Sequence, residues 1–177
     1  MEDQQLLERI RDCALLRGEF VLRSGRKSHY YLDKYLFESQ PDILAALGLK
    51  FAQCVAAIPG GIDRLAGAEL GGIPLVTAAS LAVGKPAVFI RNQKKSYGTA
   101  KLVEGKLDKG DRVMIVEDVV TTGGQTLEAA KVIQDLGAEV VQIVAVIDRQ
   151  EGARENIQAA GFAFASLFTK SDLGITE

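Results

Sequence analysis

The chain has 177 residues, 47% hydrophobic and 25% charged, with a formal net charge of −2. That length suits a single domain with a full core, and the composition is ordinary for a globular protein. The negative balance argues against general nucleic-acid binding, which needs a basic face, and one histidine with two separated cysteines argues against a zinc site. No stretch is long enough to span a bilayer, and the N-terminus is acidic with no apolar leader run, so a cytoplasmic protein without membrane contact is expected.

From the amino end, Gln4–Leu16 places Leu6, Leu7, Ile10, Cys13 and Ala14 on one helical face, and Gly18 follows as a stop signal. Glu19–Arg23 and His29–Asp33 read as two strands around a Ser24-Gly25 turn. By itself this is a hairpin serving as an edge flap. Two features go further: Arg26 and Lys27 sit at the turn, and Tyr30 and Tyr31 are adjacent. Neighbouring strand residues face opposite sides, so one tyrosine can pack while the other meets a planar ligand. Ser39-Gln40-Pro41 starts a helix that runs to about Ala56, and Pro59-Gly60-Gly61 breaks the chain. Cys13 and Cys54 fall in apolar helical patterns and read as buried free thiols.

Arg64–Gly67 reads as a short strand leading into Gly67-Ala68-Glu69-Leu70-Gly71-Gly72-Ile73-Pro74. Glycines at a strand-to-helix junction let an anion approach the backbone. Ile73–Val83 is an apolar helix and Lys85–Ile90 the next strand. Arg91–Gly105, RNQKKSYGTAKLVEG, carries Arg91, Lys94, Lys95 and Lys101 and little apolar content. It is too long for an ordinary connection in a compact α/β domain. Alone it is a lid or a solvated charged loop; beside an anion cradle, a mobile cationic lid is the better reading.

Arg112–Thr126, RVMIVEDVVTTGGQT, is the stretch around which the chain is organised. Val113–Val116 is an apolar, β-branched run suited to a buried parallel strand, and it stops at Glu117 and Asp118. Val119, Val120, Thr121, Thr122, Gly123, Gly124 and Gln125 follow, and Leu127–Leu136 reads as a helix. Gly123 and Gly124 leave backbone N–H groups uncovered, Thr121, Thr122 and Thr126 add hydroxyls, and a helix N-terminus adds positive dipole: a cradle for a phosphate monoester. It is not a Walker A loop, because no lysine follows the glycines, and no G-x-G-x-x-G suggests a dinucleotide. The two acids would repel a polyphosphate but accept hydrogen bonds from a vicinal diol, so a ribose 5-phosphate satisfies both demands.

Ala138–Asp148 is a further buried strand, ending in the polar loop Asp148–Gly152 at the sheet edge where ligands of open α/β sheets bind. Glu151–Ala160 reads as a helix, Phe162–Phe168 as a last strand and Ser171–Leu173 as a short turn. No repeat or linker divides residues 1–177.

The Arg112–Thr126 stretch resembles the phosphoribosyl-diphosphate (PRPP) binding motif of type I phosphoribosyltransferases. Further stretches, GEFVLRSGRKSHYYLDK at Gly18–Lys34, GAELGGIPL at Gly67–Leu75, the RNQKKSYG segment with LVEG, and IDRQEG at Ile147–Gly152, extend the likeness nearly from end to end. SGRKS-x-YY-x-D and DRQEG single out the orotate phosphoribosyltransferases. The resemblance implies an α/β fold with a parallel sheet of about five strands flanked by helices. It also implies a small hood from about residues 18–35 plus the chain's end, and a lid at about 91–105. The implied reaction joins orotate to the ribose 5-phosphate of PRPP with Mg²⁺, in a homodimer whose lid acts across the interface.

By position, the resemblance puts the ribose hydroxyls on Glu117 and Asp118 and the 5′-phosphate on Thr121–Gln125, with Val119 and Val120 lining the same site. Leu70, Gly71 and Gly72 lie against the diphosphate, and Arg91 and Lys95 reach it from a neighbouring subunit, with Lys94 and Tyr97 alongside. Thr121 and Arg149 contact orotate, Arg149 being matched to its carboxylate, while Lys27, Tyr30 and Tyr31 close the base side. The catalytic assignments are Lys95, Arg91 and Asp118. The metal takes few protein ligands, Glu117 and Asp118 reaching it through water.

The chain departs from the family pattern at three places. Asn92 stands where many members carry a second lysine, Tyr97 where many carry histidine, and Gly71 where some carry a diphosphate-binding lysine. Lys94 is a candidate to replace part of the missing charge. Two alternatives stay open at this stage: a type I transferase for a purine base or uracil, and a PRPP-sensing regulator without chemistry.

Overall fold

The structure is a computed structural model, and it describes residues 1–21, 25, 27–92 and 102–175. The elements are α1 (Asp3–Ala14), β1 (Leu15–Val21), β2 (Lys27–Leu32), α2 (Lys34–Glu38), α3 (Pro41–Ala56), β3 (Arg64–Ala68), α4 (Gly72–Val83) and β4 (Ala87–Ile90). They continue with β5 (Val103–Glu104), β6 (Arg112–Val120), α5 (Gly124–Asp135), β7 (Glu139–Asp148), α6 (Ala153–Ala159) and β8 (Phe164–Thr169).

The main sheet has the order β5-β4-β3-β6-β7-β8. Five of its strands are parallel, and β5 adds a sixth, antiparallel to β4 at the edge. The alternating residues of the central strands supply two cores, one on each face, as the period of two requires. Leu65, Met114 and Val116 pack with α1, α3 and α4 through Leu6, Ile10, Leu47, Phe51 and Leu75, and Leu173 and Ile175 near the chain's end join the same core. Ala66, Val113 and Ile115 face the opposite way, onto Ile133 of α5 and Ile157 of α6. Cys13 and Cys54 are free thiols, half-buried rather than fully enclosed.

The order in which strands are laid down reverses between the parallel neighbours β3 and β6: the chain goes from β3 outward to β4, then returns to the other side of β3 as β6 and proceeds to β7 and β8. This is the switch point of an open α/β sheet, where the loops leaving neighbouring strands diverge and open a crevice. Gly67 of β3 is paired with Val116 of β6; β3 ends one residue later at Ala68 while β6 continues to Val120, so the two loops leave the sheet at different levels. Gly67 is also where α4 comes closest: a Cβ there would overlap the Gly72 carbonyl and lie 2.9 Å from Val76 Cβ. Only glycine lets the helix start so near the strand.

Several boundaries differ from the sequence expectations. The first helix stops at Ala14, not Leu16, because Leu15 and Leu16 pair with Leu32 and Tyr31 in a separate two-stranded antiparallel sheet. That sheet displaces the expected strands to β1 and β2; of the Ser24-Gly25 turn, only Gly25 lies within the described residues. The strand β6 runs through both acids to Val120, since its pairing with β7 continues from Glu117↔Ala145 to Val120↔Asp148. The next helix opens at Gly124, three residues before the expected Leu127. Helix α2 was not foreseen; Asp33 caps it, its carboxylate accepting the Tyr35 N–H at 3.2 Å. Within the expected lid 91–105, Val103 and Glu104 pair with Ile90 and Phe89, and the Arg91 N–H donates to the Leu102 carbonyl at 2.8 Å. The two ends of the segment are therefore held side by side.

Candidate active site

A cleft of about 630 Å³ opens at the switch point. Its walls include Ala68, Glu69 and Gly71 after β3, Ile90, Arg91, Asn92 and Leu102 at the foot of the 91–105 segment, and Lys34 of α2. The floor and far wall are the unbroken run Glu117 to Thr126, then Glu128, Ala129 and Val132 of α5.

The acids sit at the end of β6 because the strand stays hydrogen-bonded to β7 up to Val120. Both are nearly buried, Glu117 being 8% and Asp118 4% exposed. Asp118 is well supplied with donors: Lys34 Nζ lies 2.5 Å from Oδ2, and the Val119 N–H donates to Oδ1. Burial first, and the charge of Asp118 second, push Glu117 from an ordinary 4.5 up to about 8, with Lys34 and a hydrogen bond from Thr126 offsetting only part of this. The shift favours the protonated form of Glu117 in the free protein.

Glu38 was not foreseen. It is 4% exposed, and neither carboxylate oxygen has a hydrogen-bond partner among the described residues. Burial, then Asp118, hold its pKa well above the usual carboxylate range. Gly71 explains the crowding: a Cβ at that position would overlap Asp118 Oδ2 and lie 2.8 Å from Glu38 Oε1. The space a side chain at 71 would fill is already taken by these two carboxyl groups. Burial would lower the Lys34 pKa, but Asp118 outweighs it and leaves the ammonium firmly charged.

The Glu69–Leu70 peptide is cis. Glu69 fixes the foot of the long segment, its carboxylate accepting the Asn92 N–H at 2.6 Å while its carbonyl accepts from Asn92 Nδ2 at 3.2 Å. On the other side of the crevice, α5 begins at Gly124 with Gly123 as its N-cap, so the N–H groups of its first turn are left for a ligand. Asn156 Nδ2 of α6 donates to the Thr122 carbonyl at 2.9 Å and steadies that loop from behind.

The remaining expected residues are distributed as follows. Gly71 lines the cleft; Leu70 is exposed, and Gly72 is buried as the first residue of α4. Arg91 lines the cleft, whereas Lys94, Lys95 and Tyr97 lie outside the described residues. Arg149 and Tyr30 come together next to the cleft, with Arg149 Nη2 donating to the Tyr30 hydroxyl at 3.3 Å and pairing with Glu151 at 2.9 Å. Arg149 N–H also donates to the Val120 carbonyl, which ties this group to the cleft wall. The Arg149 Nε is buried without a partner among the described residues. Tyr31 faces away from Tyr30, is 44% exposed, and stacks on Phe20 with ring centroids 5.7 Å apart. Lys27 is exposed at the start of β2.

The cleft is lined by the carboxyl groups of Glu69, Glu117, Asp118 and Glu128, of which the adjacent Glu117 and Asp118 could serve a hard cation. Among the described residues no group of three or more His, Cys, Asp or Glu side chains could hold a metal on its own. Any divalent ion would therefore need oxygens from a ligand and water. No helix among the described residues is long and apolar enough to cross a membrane.

The family model for the phosphoribosyl transferase domain matches residues 37–164. An orotate phosphoribosyltransferase of Pyrococcus abyssi is 43% identical over 171 residues, covering 96% of this chain and 94% of its own. One of Methanocella arvoryzae is 44% identical over 172 residues, covering 97% of both. Among solved structures, Mycobacterium tuberculosis orotate phosphoribosyltransferase in complex with PRPP superposes with a TM-score of 0.84 at 34% identity, over 97% of this chain and 98% of that one.

Proposed function

The chain belongs to the phosphoribosyl transferase domain family and, within it, to the orotate phosphoribosyltransferases, and from that membership we propose a role for each part of its cleft. The enzyme transfers the ribose 5-phosphate group of PRPP to orotate, giving orotidine 5′-monophosphate and diphosphate in pyrimidine biosynthesis. What supports the residue roles is one juxtaposition: two acids, a helix-opening Thr/Gly loop and the Gly71 backbone share a single cleft.

The 5′-phosphate takes the N–H groups and hydroxyls of Thr121–Gln125 at the start of α5. Glu117 and Asp118 take the ribose hydroxyls, and the diphosphate lies toward Gly71 and Arg91. Orotate lies toward Arg149 and Tyr30, its carboxylate on the guanidinium, with Thr121 and Lys27 at the edge of the base. Tyr31, on the opposite face of β2, supports the hairpin through Phe20.

Breaking the C1–O bond of PRPP develops positive charge on the ribosyl ring and negative charge on the leaving diphosphate, as in glycosyl transfer. No side-chain nucleophile is called for. The chain's contribution is alignment of the two substrates and stabilisation of the departing charge by Arg91 and Lys95. Mg²⁺, held through water by Glu117 and Asp118, would neutralise part of the diphosphate charge. The 91–105 segment acts as a lid that excludes water from the ribosyl cation. Its service to a neighbouring subunit in a cytoplasmic homodimer completes the proposal.

The test is the near-ultraviolet absorbance of orotate with purified protein, PRPP and Mg²⁺, run against uracil, adenine and hypoxanthine. Orotate consumed only when PRPP and Mg²⁺ are both present, with the other bases untouched, is the expected result. Turnover of another base would overturn the role given to Arg149, and PRPP binding without any turnover would point to a regulator.

A further inference from the structure

Position 71 offers no cation, and the space for one is filled. A side chain there would overlap Asp118 Oδ2, so no lysine fits at 71 while Asp118 and Glu38 hold their places. A different cation stands one carboxylate oxygen away. Lys34 Nζ lies 2.5 Å from that same Asp118 Oδ2, and Lys34 lines the cleft together with Gly71 and Arg91.

The sequence of α2 sets up this arrangement. Lys34 and Glu38 are four residues apart on a helix and so share one face. That face is turned onto the end of β6, where Asp118 lies 84 residues further along the chain. The Lys34 side chain is 34% exposed against 6% for Asp118, so the ammonium reaches in from the open side and can leave again. Lys34 is also the first residue of its helix, where a cation gains nothing from the backbone dipole. Its hold is on Asp118, with the Tyr35 ring 5.4 Å below.

We propose that Lys34 is the diphosphate-side cation that position 71 lacks: it rests on Asp118 in the free enzyme and passes to a diphosphate that enters the cleft, the ribose hydroxyls of PRPP taking its place on Asp118. This rests on the assignment of the cleft to PRPP. Exchange of one anion for another keeps the ammonium paired at every stage, while hydrogen bonds from the ribose hydroxyls take its place on the nearly buried Asp118. Glu38 Oε1 and Asp118 Oδ2 border the same space at Gly71, so the face of α2 that carries Lys34 is held against the end of β6. The buried carboxyl and the glycine at 71 are then two parts of one arrangement.

The experiment measures the KM for PRPP, the KM for orotate, and the affinity for inorganic diphosphate by titration calorimetry, in wild type, Lys34→Met and Lys34→Arg. Removal of the charge is expected to raise the PRPP KM and the diphosphate Kd by about 10–100-fold, the scale of one charged hydrogen bond. The orotate KM should stay within about twofold, and Lys34→Arg should recover most of the loss. Should Lys34→Met fail to fold by circular dichroism, Lys34→Gln removes the charge and keeps the polarity. A folded neutral variant with PRPP KM and diphosphate Kd unchanged overturns the proposal, even if its melting temperature moves. Failure of the underlying assignment reads differently: wild type itself would then leave orotate untouched.

Discussion

Asn92 and Glu69 meet twice, once through the Asn92 N–H on the Glu69 carboxylate and once through the Asn92 side-chain amide on the Glu69 carbonyl. The root of the long segment is thereby fixed to the loop that carries Gly71. Glu69→Ala removes the charged acceptor at 2.6 Å. Loss of a charged hydrogen bond is worth about 1.5–3 kcal/mol, so kcat/KM for PRPP should fall by roughly 10–100-fold. Glu69→Gln, which still accepts the Asn92 N–H, should stay within about threefold. Steady-state rates at varied PRPP decide it: equal effects of the two variants would mean that the contact does not position the cleft.

Gly71→Ala should damage the site without unfolding the protein. The new methyl would overlap Asp118 Oδ2 and force the Asp118–Lys34 pair to shift. A displacement of about 1 Å at a reacting site costs on the order of 10²-fold, so kcat/KM for PRPP should drop by roughly that factor. Circular dichroism and a thermal melt should show the wild-type fold. A fully active Gly71→Ala enzyme would mean that Asp118 has room to move without consequence.

Stability should fall as the pH rises from about 5 to about 8. Glu117 is pushed up to about 8, and Glu38 is likewise raised, both by burial first and Asp118 second. Below pH 4.5 both are protonated folded or unfolded; between there and about 8 the unfolded chain releases protons that the folded chain keeps. Each proton kept works against folding as the pH climbs. Asp42, held low by its hydrogen bond with Arg9, acts only in more acid solution, outside this window. Melting temperatures across pH 5–8 should decline in wild type and decline less in Glu38→Gln, with about 2–4 °C for each kcal/mol. Identical slopes in the two proteins would remove Glu38 from the account.

Arg149→Met should raise the orotate KM by about 10–100-fold, the cost of one lost charge-assisted hydrogen bond, while the PRPP KM moves little. Tyr30→Phe removes only the 3.3 Å contact with the guanidinium. Its effect on the orotate KM should stay within about fivefold. Absorbance kinetics at varied orotate check both. An Arg149→Met enzyme whose PRPP KM rises as much as its orotate KM would place the guanidinium on the other substrate.

The parts of this molecule readable from sequence are those whose signal is local. Val113–Val116 reads as a buried strand because four apolar residues in a row face two cores, and the acid pair and the Thr/Gly loop follow it in the chain. What escaped depends on residues far apart. Glu117 and Asp118 extend β6 because β7 continues alongside, a fact of pairing that composition does not carry. Leu15 and Leu16 fit the first helix by period, yet they pair with Leu32 and Tyr31 across the hairpin. Helix α2 has five residues, too few to show a period, and only the Asp33 cap announces it. Lys34 and Glu38 look like a solvated pair until Asp118 is placed against them. The Glu69–Asn92 contact likewise joins two loops 23 residues apart.

The fixed pairing beneath the two cleft loops, with Gly67 opposite Val116, makes the sheet a ruler. Neighbouring strands keep a spacing of about 4.8 Å because their hydrogen bonds do not stretch. The Gly71 side and the Thr121–Gln125 side can therefore neither slide past one another nor drift apart without breaking the β3–β6 ladder. A molecule bound at both ends must bring its own spacer of fixed length between its two anionic groups. Selection by length is in this way built into the middle of the sheet, and the loops above it are left to select by charge and shape.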